Sequence, residues 1–118
     1  MDDWPRCRAW IHAALPYAGG THTIDDVERA ILEGRAFLLA GERSAFVCEV
    51  VQYPRLRVLR IWLAGGDMTE LKSAHDQMVS LGRLNGCSRL TISGRKGWER
   101  ATRDLGFSLV CTTIAKGI

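Results

Sequence analysis

Few side chains in this sequence are of types that do chemistry near neutral pH, and their spacing decides which chemistry is open. The three histidines, His12, His22 and His75, stand far apart. None has a second donor at the spacing that puts two metal ligands on one helix face. The four cysteines, Cys7, Cys48, Cys87 and Cys111, form no C-x-x-C pair. Neither a zinc centre nor a redox pair is expected, and they read as small apolar side chains for the interior. Glu49 lies in an alternating run in which every second side chain faces water, which reads as a solvated carboxylate rather than a general base. His75 stands beside an apolar helical stripe and reads as a half-buried, hydrogen-bonded histidine. No catalytic residue and no metal ligand is assigned.

The most distinctive segment is Ser93-Gly-Arg-Lys-Gly-Trp-Glu-Arg100, where cations crowd an aromatic ring. Arg and Trp are enriched among residues that dominate binding energy. Arg95, Lys96, Trp98, Arg100 and Arg103 therefore form the candidate interface. The same groups could grip RNA by charge and stacking, or Trp98 could pack inward and leave the charges solvated. Trp62 is expected in the sheet core. Trp4 and Trp10 point to different sides of one helix, and one of them with Tyr17 could offer an apolar edge to a second copy of the chain.

The elements that must position these residues follow from periodicity. Asp3 can cap a helix carrying Trp4, Cys7, Ile11 and Leu15 on one side, ended by Pro16. Thr23 and Asp26 form a capping-box start for a second helix that runs to Gly34. Phe37 to Ala40 and Ala45 to Tyr53 read as a hairpin around Gly41–Ser44, and Val58 to Leu63 as a central strand. Gly65 and Gly66 end that strand. Asp67 can cap a long third helix to about Asn85 with Leu71, Ala74, Met78, Leu81 and Leu84 inward. A buried strand at Arg89–Ser93, a helix from Gly97 to Leu105 and a last strand from Ser108 to Ala115 complete the order. A strand–helix–strand crossover requires a parallel pair, so the sheet is mixed.

The chain has 118 residues, 47% hydrophobic and 25% charged, with 16 Lys plus Arg against 13 Asp plus Glu for a net charge of +3. That length supports one hydrophobic core, and residues 1–118 are expected to form a single α+β domain. The positive charge is scattered, so nucleic acid is not the expected partner. No apolar run is long enough to span a bilayer, and the charged start MDDWPRCRAW does not read as a secretory signal. The expected setting is the cytoplasm.

This element order, with the phrase Ala101-Thr-Arg-Asp-Leu-Gly-Phe107 leading into a final strand, resembles the GNAT (acetyltransferase-like) superfamily. The resemblance implies a mixed sheet of about five strands flanked by about four helices. More narrowly, Leu-Ala-Gly-Gly-Asp67, Asn-Gly-Cys87 and Ser-Gly-Arg-Lys-Gly-Trp98 look like small GNAT-like proteins encoded among bacteriophage head and tail genes. That implies a degenerate, non-catalytic protein of a phage particle or its assembly, made in the host cytoplasm, with other virion or assembly proteins as partners.

An active member of the superfamily would hold the pyrophosphate of acetyl-CoA on amides at the start of the helix after the central strand. The matching stretch, Ala64-Gly-Gly-Asp-Met-Thr-Glu70, has Gly65 and Gly66 but not the family's leading Gln or Arg or its glycine spacing. Asp67, as an N-cap, would take a donor that a phosphate needs. Gly65 and Gly66 are cofactor-binding only if CoA is bound, and the expected cofactor is none. The position of the family's general-acid tyrosine is Thr102, whose hydroxyl lacks a phenol's acidity. The alternative is a small acyl-CoA-dependent N-acetyltransferase with an atypical loop.

Overall fold

The computed structural model describes residues 2–118. Helix α1 spans Trp4–Ala14 and passes into a 3-10 turn at Leu15–Tyr17. Pro5 sits in its first turn, where a missing N–H costs nothing. Asp3 occupies the N-cap position without accepting from the helix. Its carboxylate instead meets Arg6 at 3.1 Å, and Arg6 in turn donates to the Gly41 carbonyl at 2.6 Å. The expected side-chain cap is therefore replaced by a tie from α1 to a hairpin turn. Helix α2, Ile24–Leu32, does carry the reciprocal cap, with the Asp26 N–H donating to Thr23 Oγ1 at 3.2 Å and the Thr23 N–H to Asp26 Oδ2 at 2.8 Å. Donation from Thr23, its backbone N–H foremost, holds the Asp26 carboxyl below its ordinary range.

Strands β1 (Phe37–Ala40), β2 (Ser44–Gln52), β3 (Arg57–Gly66) and β4 (Arg89–Ile92) lie in the order β1-β2-β3-β4. The first two pairings are antiparallel and β3–β4 is parallel, as the crossover requires. Helices α3 (Met68–Ser73) and α4 (His75–Leu84) form the crossover, and α5 (Gly97–Ala101) with a 3-10 turn at Arg103–Leu105 follows β4.

The sheet is covered on both faces. Cys7 and Ile11 of α1 and Val27 of α2 cluster with Ala45, Val47, Trp62 and Leu63 on one side. Leu71 and Met78 cluster with Phe46, Cys48, Leu59, Ile61 and Ala64 on the other. Alternation along β2 sends Phe46 and Cys48 one way and Val47 the other. In β3 the alternation breaks, because Val47 is opposite Leu63 while Cys48 is opposite Ile61. Trp62 is thus the extra residue of a β-bulge, and Trp62 and Leu63 both face α1. Ile11, Leu59 and Leu63 are almost wholly buried, each contributing about 2 kcal/mol of apolar transfer energy.

Among the described residues four strands form, not five, and five α-helices rather than four. Ser108–Ala115 makes no ladder, since residues 108–118 are exposed and carry no backbone hydrogen bond among the described residues. The expected long third helix is split at Ala74, whose ψ of 0° closes α3 before α4 begins. Leu71 and Met78 are buried while Leu84 is 85% exposed, because within α4 the buried side is the one shared by Met78 and Gly82 and Leu84 stands well round the helix from it. Cys7 and Cys48 are interior, Cys87 is half-buried and Cys111 exposed, so the expectation of four buried thiols holds for two. No helix among the described residues is long and apolar enough to cross a membrane.

Candidate functional site

Strand β3 outruns its parallel partner. The β3–β4 register ends at Ile61–Ile92, followed by one bond from the Ser93 N–H to the Ile61 carbonyl at 3.1 Å. From Trp62 to Gly66, β3 continues with β2 alone on its other side, and the bulge bends it away. The wedge left between the two strands opens under the C-terminal end of α1.

That wedge is a cleft of about 170 Å³. Its walls are aromatic: Trp10 and Tyr17 from α1 and its 3-10 extension, Trp62 from β3, and Trp98 from α5. The Arg95 guanidinium lies over the Tyr17 ring, 5.3 Å from its centroid, which joins the β4–α5 loop to the α1 end by a cation–π contact. Close packing of α1 on β3 depends on Gly65, because a Cβ there would sit 2.3 Å from the Trp10 carbonyl oxygen.

Ser93 lies in the cleft wall and closes a polar ladder across three strands. Arg60 Nε donates to Ser93 Oγ at 3.2 Å, and Arg60 Nη1 donates to Glu49 Oε1 at 2.6 Å. Glu49 is therefore ion-paired and partly buried rather than simply solvated.

The turn beyond the cleft is acidic and already hydrogen-bonded. Gly66 has φ +106°, and a Cβ there would lie 2.2 Å from the Arg43 carbonyl oxygen. Asp67 caps α3 by accepting from the Glu70 N–H at 2.9 Å. The Glu70 carboxylate accepts from the Ser44 hydroxyl and from the Arg43 N–H at 3.0 Å. Those donors hold Glu70 below the usual carboxylate range, Ser44 contributing most. A coenzyme diphosphate needs free amide donors and positive potential at a helix start. This turn offers two carboxylates, with the Glu70 amide occupied, and its residues do not fit a diphosphate. Thr102 is also engaged: it is buried, and its hydroxyl donates to the Trp98 carbonyl at 2.5 Å.

The structure brings Gly65, Gly66, Arg95 and Trp98 to one cleft. Lys96, Arg100 and Arg103 are exposed and do not line it. His75, at the start of α4, stands 3.2 Å from the Asp76 carboxylate and edge-on to Phe107. His22 stacks edge-on to Trp62 with centroids 4.7 Å apart. No cluster of three or more metal-ligating side chains occurs among the described residues. Sequence reasoning missed the Glu49–Arg60–Ser93 ladder, which exists only in the β2–β3–β4 register. It placed Trp62 in the core without the cleft wall. Tyr17 reads from the sequence only as an aromatic near Trp10, and the 3-10 turn that carries it into the cleft has no sign in the residue types.

No protein-family model matches this sequence, and neither does any curated protein. Solved structures do match in shape. TTHA1254 from Thermus thermophilus superposes with a TM-score of 0.64 at 15% identity, over 99% of this chain and 91% of that one. A tetramutant of the BH1408 protein from Bacillus halodurans gives 0.60 at 16% identity, over 83% and 76%. A Trypanosoma brucei acetyltransferase gives 0.58 at 9% identity, over 94% of each chain. At such identities the likeness speaks for architecture and not for activity. The chain has a GNAT-like, acetyltransferase-like fold built on a four-stranded mixed sheet.

Proposed function

We propose that this chain is a catalytically silent GNAT-like protein that works by protein contact, as a component of a bacteriophage particle or of its assembly. The observation that carries the silent half is the Asp67 cap. A carboxylate accepts from the Glu70 amide where an acyl-CoA diphosphate would need donors, and Glu70 adds a second negative charge beside it. The Thr102 hydroxyl, turned into its own helix, supports the same reading. The phage setting rests on the sequence phrases around Gly65–Asp67, Asn85–Cys87 and Ser93–Trp98, and the exposed cations Lys96, Arg100 and Arg103 offer a contact surface beside the cleft.

Calorimetric titration with acetyl-CoA tests the first half, with no binding tighter than about millimolar expected. Micromolar binding overturns it. Stoichiometric recovery of the chain in purified particles or assembly intermediates tests the second half, and its absence from both overturns that half alone.

A second reading, a small N-acetyltransferase with an atypical loop, is favoured by one feature: the divergence of β3 from β4 opens a cleft large enough for a small group to enter between Trp62 and Trp98. The same titration decides between the two.

A further inference from the structure

One edge of the sheet lacks a strand, and one segment of the chain has a strand's composition without a sheet. Among the described residues β4 is an edge, paired with β3 alone. The Ser93–Ile61 bond fixes its phase. Alternation then turns the N–H and C=O groups of Leu90 and Ile92 outward to the open side. The side chains of Leu90 and Ile92 pack on the α3–α4 face and stay half-buried, so the sheet's apolar surface runs to this edge and is only partly covered there. Such an edge templates pairing with another strand.

The segment after Phe107 has the opposite problem. Ser108–Ala115 reads S-L-V-C-T-T-I-A, half of it β-branched, the composition that suits a pleated surface. It makes no hydrogen bond among the described residues. Leu109 and Val110 are 65% and 66% exposed and Ile114 is 91% exposed. With Leu109, Val110 and Ile114 all exposed, the apolar side chains of this segment do not rest on its own domain. The Phe107 ring is held edge-on to His75. The chain thus leaves the body at a fixed point, carrying its apolar residues into solvent.

We propose that Ser108–Ala115 pairs with the β4 edge of a second copy of this chain, and that the second copy returns its own segment to the first. The exchange supplies each sheet with its fifth strand. It covers Leu90 and Ile92, removes Leu109, Val110 and Ile114 from water, and satisfies both sets of backbone groups in one closed, two-fold arrangement. The proposal is independent of whether the cleft binds a coenzyme.

Two measurements on the full chain test it together. Light scattering should give twice the 13.1 kDa chain mass, and hydrogen exchange should show the Leu90 and Ile92 amides protected. The double substitution Val110→Lys plus Ile114→Lys, at two exposed positions, should give the single-chain mass. It should also speed exchange of those two amides by at least about tenfold while leaving the central β3 amides protected. A wild-type monomer overturns the proposal. If its Leu90 and Ile92 amides are protected, the strand has paired within its own chain. A dimer whose Leu90 and Ile92 amides exchange freely, or that survives the double substitution, also overturns it, because its interface is elsewhere.

Discussion

At Gly65 and Glu70 single atoms decide how the cleft is built. A methyl group on Gly65 would meet the Trp10 carbonyl oxygen at 2.3 Å, and backbone on both sides has no room to yield. Gly65→Ala is expected to cost about 3 kcal/mol by overpacking, read as a lower urea midpoint with unchanged slope. Glu70 gives the fold an acid dependence. Its folded-state pKa lies below the ordinary 4.5 because Ser44 and Arg43 donate to the ionised form. The unfolded chain therefore takes up this proton first, so the contribution is complete above the ordinary value and is lost as pH falls through the depressed one. Glu70→Gln should lower the melting temperature by a few degrees at neutral pH and flatten its decline in acid. An unchanged acid limb in the variant would show that other carboxylates carry the dependence.

Among the elements, α1 is the one on which the cleft depends, since it contributes both Trp10 and the surface that seats on Gly65. Ile11, wholly buried beneath it, should cost about 3–4 kcal/mol when cut to alanine. Leu84→Ala, at the exposed end of α4, should stay within about 0.5 kcal/mol. Equal losses in chemical denaturation would contradict the layer assignment. The pair also shows where the sequence was legible. Trp4, Cys7 and Ile11 announced their face because α1 is regular, as did Thr23 and Asp26 their cap. Leu84 misled because it lies six residues beyond Met78 in one unbroken helix and so stands well round α4 from the buried side, which Met78 and Gly82 share, while nothing in the residue types marks the break at Ala74. The strands were readable from their β-branched and aromatic runs. The bulge at Trp62 was not, because it is a property of register between two strands. The Glu49–Arg60–Ser93 ladder was hidden for the same reason. Asp67 was legible as a cap because capping is local, whereas the engagement of Glu70 with the distant Ser44 hydroxyl was not.

For the whole molecule, exchange of strands makes folding stability depend on how much protein is present. The melting temperature of the wild type should rise with protein concentration, and that of the Val110→Lys, Ile114→Lys chain should not. A flat wild-type series would contradict a paired native state. The two enclosed sulfurs extend this to how the molecule comes apart. Burial pushes the Cys48 thiol up to about 12 and raises that of Cys7 as well. Cys48 sits in the middle strand layer, Cys7 beneath α1. Both are mute toward an alkylating reagent until something lifts. Should the helix peel away first, Cys7 will be tagged before Cys48; should the domain open as one body, the two will be tagged in step. The order of labelling is thus a record, written in sulfur, of the seam along which this protein yields.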